Sequence, residues 1–391
     1  MNASYDVVIV GGAVHGASLA YHLAASRFAG RVLLIEKDPT FRFAATALSA
    51  GSIRQQFSTP VNIAISLFGI EFLRDVGTRL EVDGEQPEIG LREGGYLFLA
   101  TPAGAETLAR NQALQTSMGA DILHLDPDGL RQRFPWIATD GVAAGCWGRT
   151  GEGWFDGYSL MQALRRKAIA MGVTGLTGEV AEIERVGDRA IGVRLADDTR
   201  IAAGCVAVTA GPATRSLLAP LGIALAVEAR KRMVFTFACR ERLPDFPLLI
   251  DPTGVYVRPE GDLYLCGSAP SPDNDPEATG FEVDHAFFED AIWPVLANRV
   301  PAFESIRPGR AWAGHYDMNL LDQNAIVGSL PGLANLFVAV GFSGHGLQQA
   351  PAVGRGLAEL IAGGRYATLD LSPLGYDRIA ARRPLLEQNV V

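Results

Sequence analysis

The sequence is poor in the residues that build disulfide frameworks and metal centres. Its 391 residues include four cysteines, Cys146, Cys205, Cys239 and Cys266, and no two of them form a C-x-x-C pair. The six histidines contain no H-E-x-x-H arrangement. We therefore expect four reduced thiols in a cytosolic protein, and no metal site.

Long apolar runs and an excess of positive charge are also missing. No stretch reaches the ~20 consecutive apolar residues that a helix needs to cross a bilayer, so no transmembrane segment is expected. The first residues form neither a basic segment followed by an apolar one nor an Arg/Ser-rich leader, which predicts a cytoplasmic protein. The net charge of −9 argues against nucleic acid or an anionic membrane as the main partner.

The chain has no internal repeat and no Pro/Gly/Ser-rich linker, although 391 residues are more than one simple core usually takes. Apolar runs typical of buried parallel strands occur near the start, in the middle and near the end, at 6–10, 31–36, 205–209 and 336–340. Strand-rich segments lie between them, above all at 225–275. This order predicts an α/β protein in which two domains are interleaved along one chain.

The first predicted strand runs into a glycine-rich turn that precedes a helix. The turn, Gly11-Gly12-Ala13-Val14-His15-Gly16, matches G-x-G-x-x-G except that Ala13 replaces the middle glycine. Such a turn lets the backbone approach a pyrophosphate, and the helix N-terminus offers it unpaired N–H groups. Glu36 ends the second strand twenty positions later, where a carboxylate accepts hydrogen bonds from a ribose and repels a 2′-phosphate. The pattern predicts a dinucleotide site.

A second glycine-rich stretch lies between the last buried strand and a helix. Its sequence is Gly341-Phe342-Ser343-Gly344-His345-Gly346-Leu347-Gln348. The backbone there can approach a flat ligand, and the helix N-terminus can stabilise the negative charge of a reduced flavin. His345 either contacts the flavin or makes a structural hydrogen bond within the loop. With only one full dinucleotide fingerprint in the chain, electrons are expected to come directly from an organic substrate.

These residues resemble the D-amino-acid-oxidase superfamily of flavoproteins, in its sarcosine oxidase and dimethylglycine dehydrogenase branch. The segment 341–346 resembles the flavin loop of that branch, and 50–58 resembles the segment beside the isoalloxazine ring. The resemblance implies an FAD-dependent oxidoreductase that oxidises the C–N bond of an amino-acid-like, secondary or tertiary amine to an imine by hydride transfer to the flavin.

The resemblance also implies the domain organisation. A Rossmann-like FAD-binding domain is expected from residues 1–84, 146–220 and 310–391. An α+β substrate domain built on an antiparallel sheet is expected from residues 85–145 and 221–309. The residues expected to bind FAD are Gly11, Gly12, Ala13, Val14, His15, Gly16, Glu36, Lys37, Ser49, Ala50, Gly51, Val180, Ala210, Gly211, Gly341, Phe342, Ser343, Gly344, His345, Gly346, Leu347 and Gln348.

Three positions depart from the monomeric sarcosine oxidases. Those enzymes hold FAD through a cysteine, but Gly314 stands near that position, so FAD is expected to be non-covalent. A lysine that helps bind the substrate carboxylate is replaced by Gln348, and a lysine linked to the oxygen reaction falls near Tyr264. The departures favour a different substrate, or a dehydrogenase, and leave either oxygen or another electron acceptor open.

Four residues are the candidates for the substrate site. A carboxylate substrate needs a buried cation, and an arginine suits it best. Arg54 is the first candidate because the resemblance puts it over the flavin, where it binds the substrate, stabilises the reduced ring or makes only a surface ion pair. Tyr256, His315 and Tyr316 lie on segments expected to line the cavity, or else belong to the ordinary core.

Two other functions stay open. An NAD-dependent dehydrogenase would share the N-terminal fingerprint but would leave the C-terminal glycine loop unexplained. A flavin-bearing assembly or scaffold protein without turnover would keep both motifs.

Overall fold

The computed structural model describes residues 4–388, and most of its strands lie in two large sheets. The strands, in chain order, are β1 (Ser4–Val10), β2 (Val32–Glu36), β3 (Ser52–Ile53), β4 (Tyr96–Ala100), β5 (Ile122–Leu125), β6 (Ala144–Gly148), β7 (Gly153–Trp154), β8 (Thr174–Thr177), β9 (Val180–Val186), β10 (Arg189–Leu195), β11 (Arg200–Val208), β12 (Val227–Cys239), β13 (Leu248–Ile250), β14 (Tyr256–Glu260), β15 (Leu263–Ser268), β16 (Ile306–Asn319), β17 (Ile326–Leu330) and β18 (Leu333–Val340).

The helices vary from a single turn to 18 residues. They are α1 (Val14–Ala25), α2 (Ala45–Leu48), α3 (Pro60–Arg74), α4 (Val76–Arg79), α5 (Ala105–Ser117), α6 (Pro127–Arg133), α7 (Gly157–Ala170), α8 (Thr214–Leu218), α9 (His285–Phe287), α10 (Trp293–Arg299), α11 (Gly346–Gly363) and α12 (Asp377–Ala380). None of those between residues 4 and 388 combines the length and the apolar character that a bilayer crossing requires.

The first sheet has the order β17-β18-β11-β1-β2-β8, with the hairpin β9–β10 attached to β11. Its four pairings from β18 to β8 are parallel, whereas β17 is antiparallel to β18. The residues of β1 from Val7 to Val10 are at most 4% exposed, because separate apolar clusters cover the two faces of the sheet. The carboxyl ends of parallel strands meet at one edge, so the chain segments that follow β1, β2, β11 and β18 emerge together.

The second sheet has the order β16-β12-β15-β14-β13-β4-β6-β5. Its pairings are antiparallel except for β13 with β4. The long strands β12 and β16 pair from Val227 with Asn319 to Cys239 with Ile306. The predicted fold class, a doubly covered parallel sheet joined to a mainly antiparallel one, is confirmed.

Two of the expected domain boundaries fall inside strands of the second sheet. The boundary at 146 divides β6 and the boundary at 310 divides β16, although both strands pair within that sheet along their whole length. Both strands lie in the second sheet up to their last residues, 148 and 319. The division into two domains otherwise stays a proposal.

The helical segment between residues 285 and 299 is interrupted in the structure. Residues 281–284 are not helical, and a π-helical turn, Phe288–Ile292, separates α9 from α10. Pro294 lies in the first turn of α10 and has no N–H to continue a regular α-helical ladder from the preceding turn.

Candidate flavin and substrate site

The N-terminal fingerprint forms a tight turn between β1 and α1. Gly11 has φ +97°, and an added Cβ there would lie 2.6 Å from the carbonyl oxygen of Thr209. At Gly16 an added Cβ would lie 1.9 Å from the oxygen of Gly11. Thr209 follows β11, and its hydroxyl donates to the oxygen of Gly11 at 2.8 Å. The turn therefore tolerates no side chain at the first and third glycines, as the motif predicts.

Nothing from the described chain caps the start of α1. Ala13 at the N-cap makes no side-chain hydrogen bond, and the first turn carries no acidic residue. The unpaired N–H groups and the positive end of the helix dipole are thus available to an anion.

Glu36 closes the other side of the turn. Its carboxylate accepts hydrogen bonds from the backbone N–H of Gly12 at 2.7 Å and of Asp38 at 2.9 Å. Lys37, by contrast, is well exposed and lies 3.9 Å from Glu179. Glu36 therefore faces the glycine turn, whereas Lys37 lies at the surface.

The other residues expected near the adenosine side lie on neighbouring segments. Ala210 and Gly211 follow Thr209 at the same sheet edge, and Gly211 has φ +55° with open space around an added Cβ. Val180 is buried at the start of β9, two residues after Gly178, whose N–H donates to the oxygen of Glu36.

The C-terminal glycine loop adopts an unusual backbone between β18 and α11. Gly341, Ser343 and Gly344 have φ of +75°, +52° and +96°. Asp317 of β16 holds the loop, because its carboxylate accepts from the N–H of Gly341 at 2.7 Å and its carbonyl accepts from Ser343. Burial raises the pKa of Asp317 to about 6 despite these hydrogen bonds.

The two glycine-rich loops contact each other directly. The ring of His15 stacks on Phe342 with 3.7 Å between centroids and 11° between planes. Further along, the Ser18 hydroxyl donates to the oxygen of Ala350 at 2.7 Å, which draws α1 against α11. Burial lowers the pKa of His15 to about 3, so the ring is neutral. The fingerprint and the C-terminal loop therefore lie side by side.

The segment 49–54 forms a third wall. The Ser49 hydroxyl accepts from the N–H of Gly51, which has φ +66°. The carbonyl of Ala50 accepts two hydrogen bonds from Arg258, at 2.6 and 3.0 Å, and that of Leu48 accepts one from the indole of Trp312. Two residues of the second sheet thus fix the segment.

Arg54 stands where this segment meets the C-terminal loop. Its backbone N–H donates to Oε1 of Gln348 at 2.7 Å, and its Nη2 lies 3.2 Å from Nε2 of His345. The guanidinium lies over three aromatic rings, 4.7 to 5.8 Å from their centroids. They belong to Phe57, Tyr96 and Phe98. Nε of Arg54 is buried without a hydrogen-bond partner in the described chain.

These contacts define the state of His345. A guanidinium can only donate, so Nε2 of His345 must accept and the ring must be neutral with its proton on Nδ1. Burial, helped by the charge of Arg54, lowers the pKa of His345 to about 3, which agrees with that assignment. Leu347, in the first turn of α11, is buried and packs against Gly157.

Tyr256 and Tyr316 face the same region. Burial raises the pKa of both phenols, and the charge of Arg54 acts on Tyr316. The ring of Tyr316 fills the space beside Gly344, where an added Cβ would lie 2.3 Å from Cε2. The two phenols are therefore protonated and available as hydrogen-bond donors.

The structure does not bring His315 to this cluster. Its ring stacks on Phe281 at 4.0 Å, and its Nε2 lies 2.8 Å from the oxygen of Gly280. Adjacent residues of a strand point to opposite faces, so His315 and Tyr316 cannot both face the loops. Of the pair, only Tyr316 lies beside the C-terminal loop, and His315 points to the other side of the strand.

Sequence reasoning missed Glu152, which follows β6. It is fully buried, and it accepts from the N–H of Gln55 and the side chain of Gln56. Burial raises its pKa to about 7. No motif marks this residue, because its contacts with Gln55 and Gln56 arise only when the segment after β6 packs against them, 96 or more positions away in sequence.

The site fits FAD in its donor set. The uncapped α1 and the glycine turn suit a pyrophosphate, Glu36 suits a ribose, and the C-terminal loop with α11 suits a flat ring that gains negative charge. The chain matches the family model described as "FAD dependent oxidoreductase" (DAO) over residues 6–360. The protein therefore belongs to the DAO family of FAD-dependent oxidoreductases.

Individual relatives agree with the family. The chain is 42% identical to the FAD-dependent oxidoreductase domain-containing protein 1 of Xenopus laevis over 99% of its own length and 85% of the relative's. It is 26% identical to the peroxisomal sarcosine oxidase of Mus musculus over 91% and 92%. Among solved structures it resembles L-proline dehydrogenase from P. horikoshii, with a TM-score of 0.85, 23% identity and coverage of 97% and 99%.

Proposed function

We propose that the protein oxidises the C–N bond of a secondary or tertiary amino-acid-like amine to an imine, with non-covalently bound FAD as hydride acceptor. The observation that carries the proposal is Arg54. It is a guanidinium without a carboxylate partner in residues 4–388, it lies over three aromatic rings, and it stands where segment 49–54 meets the C-terminal loop. A substrate carboxylate would supply the missing partner.

The cofactor roles are part of the proposal. The adenosine diphosphate part would lie along the glycine turn and Glu36, and the flavin ring along 49–51 and 341–348. Gly314, near the position of the linking cysteine in the monomeric sarcosine oxidases, has no side chain that could bond to the flavin. This supports non-covalent binding.

FAD supplies the redox chemistry when it is bound. Arg54 would orient the substrate through its carboxylate, and the aromatic walls would exclude water. The phenols of Tyr256 and Tyr316 would donate hydrogen bonds. His345 is neutral and its Nε2 is engaged by Arg54, so it does not serve as the base for the amine. The amine would therefore have to bind in its neutral form.

The relatives support the substrate class. Sarcosine and proline, in the names of two of them, are both secondary amino acids. The electron acceptor is left open between oxygen and another oxidant, and the cytoplasmic location stays a prediction.

Anaerobic mixing of the holoprotein with paired amines tests the proposal. Each pair contains an amino acid and the same amine without its carboxylate, such as sarcosine with dimethylamine and proline with pyrrolidine. We expect one or more of the acids to bleach the flavin absorbance, and its decarboxylated partner to do so far more slowly. Reoxidation with air or with a dye then identifies the type of acceptor.

Arg54 variants provide the matched control. Arg54→Met should slow bleaching by the active amino acid roughly 30-fold or more, because removing one partner of a buried charge pair costs about 2–5 kcal/mol. Arg54→Lys should give an intermediate bleaching rate. Arg110→Met, at an exposed surface arginine, should change nothing. If no amine bleaches the flavin, the proposal fails and the flavin-bearing scaffold without turnover is favoured.

A further inference from the structure

A cation that no motif predicts reaches the fingerprint from α7. Nη1 of Arg165 donates to the carbonyl oxygen of Gly12 at 3.2 Å. The guanidinium lies 4.7 Å from the ring centroid of Phe41, which is 2% exposed. An added Cβ at Gly12 would lie 2.7 Å from that Nη1 and 2.9 Å from Cβ of Glu36. Arg165 therefore lies beside Gly12, on the side of the turn that also faces Glu36.

The hydrogen-bonding capacity of Arg165 is largely unused. A guanidinium has five N–H donors, and in residues 4–388 only Nη1 has an acceptor. Burial lowers the pKa of Arg165, and the negative charge of Glu36 opposes that shift. Glu36 is already engaged by the N–H groups of Gly12 and Asp38 and forms no salt bridge with Arg165 in the described chain. A half-buried cation in this state lacks an anionic partner.

The start of α1 also supplies no negative charge to pair with Arg165. The start of α1 carries no acidic residue and no side-chain cap, so its N–H groups and Arg165 border the same turn from two sides. A diphosphate brings negative charge to that turn, and guanidinium–phosphate hydrogen bonds are among the strong ones.

We propose that Arg165 is a phosphate ligand, which binds the adenosine-side phosphate of FAD next to the glycine turn. The proposal depends on FAD binding at this turn and is independent of the amine substrate. A purely structural role, in which Arg165 only holds the carbonyl of Gly12 and packs on Phe41, predicts a different response to ligands without phosphate.

The test compares ADP with adenosine on the flavin-free full-length protein. Arg165→Ala should raise the dissociation constant of ADP about 10- to 100-fold, the value of a charge-assisted hydrogen bond to a phosphate, and leave that of adenosine within twofold. Arg165→Lys should give an intermediate dissociation constant for ADP. Arg166→Ala is the matched control, since Arg166 is the next residue of α7 and pairs with Glu85 at the surface. It should change neither constant.

A second measurement uses the holoprotein, in case a variant does not survive removal of the flavin. The rate of FAD release on dilution, followed by flavin fluorescence, should rise in Arg165→Ala and should be raised less by added KCl than in the wild type. Equal losses of ADP and adenosine affinity, or unchanged FAD release, would overturn the proposal. The amine panel is unaffected by this result, so failure of one proposal does not imply failure of the other.

Discussion

Gly344 offers the sharpest test of how the C-terminal loop meets the second sheet. Its φ of +96° strains any other residue, and an alanine there would also drive its Cβ to 2.3 Å from the ring of Tyr316. The substitution Gly344→Ala therefore combines a backbone penalty with a steric one. Gly364, which ends α11, has φ +71° but no heavy atom of the described chain within 4 Å of an added Cβ. Gly364→Ala carries the backbone penalty alone.

The magnitudes follow from these two situations. A left-handed alanine costs about 1–2 kcal/mol relative to glycine. Overpacking against a buried ring adds about 1–3 kcal/mol. We expect Gly344→Ala to lower the free energy of unfolding by about 2–5 kcal/mol and Gly364→Ala by about 1–2 kcal/mol.

Urea unfolding, read by tryptophan fluorescence and flavin release, measures both costs. The double variant Gly344→Ala/Tyr316→Ala removes the clash and keeps the backbone strain. Relative to Tyr316→Ala alone, the alanine at 344 should then lower the free energy of unfolding only as much as Gly364→Ala does in the native background. If Gly344→Ala costs no more than Gly364→Ala in the native background, Tyr316 does not pack against the loop and the described geometry is wrong.

Other predictions concern buried charges and hydrogen bonds. Arg378→Met should lower the free energy of unfolding by about 3–5 kcal/mol in urea, because it leaves the carboxylate of Asp322, whose side chain has no exposed surface, without its cation. Adding Asp322→Asn should recover part of the loss. Burial lowers the pKa of His22 to about 3 against 6.5 when unfolded, so the unfolded chain binds the proton first as the pH falls. Between about pH 6.5 and pH 3 the wild type should lose about 1.4 kcal/mol of stability per pH unit that His22→Leu does not lose. Parallel stability curves for the two proteins would contradict this. The carboxylate of Glu387 accepts hydrogen bonds from Ser58, Thr59 and Asn62, so Glu387→Gln should lower the free energy of unfolding by about 1–3 kcal/mol. An unchanged urea midpoint would exclude that role.

Local patterns predicted the parts of the fold that local physics determines. The apolar run before Gly11, the glycine turn and Glu36 define a strand–turn–helix–strand unit whose geometry depends on residues close in sequence. Residues 341–348 could be recognised in the same way, because glycines between a buried strand and a helix mark a turn that uses positive φ. The interleaved arrangement followed from the order of such segments.

The substrate side could not be predicted to the same depth. The sequence grouped Arg54, Tyr256, Tyr316 and His315 as one set of candidates, but His315 stacks on Phe281 and lies apart from the other three. An alternating strand presents one residue in two to each face, and which face covers the loops depends on the pairing of β12 with β16.

The sequence by itself indicated the fingerprint turn, the C-terminal glycine loop and the buried strands before them, because each is marked by contiguous residues whose backbone preferences and apolar pattern agree. Only the tertiary structure decided which side chains border the site. Arg54 meets His345 across 291 positions of sequence, and Arg165 meets Gly12 across 153. Contacts of that kind arise when helices and sheets pack against each other, and no local pattern of the chain encodes them.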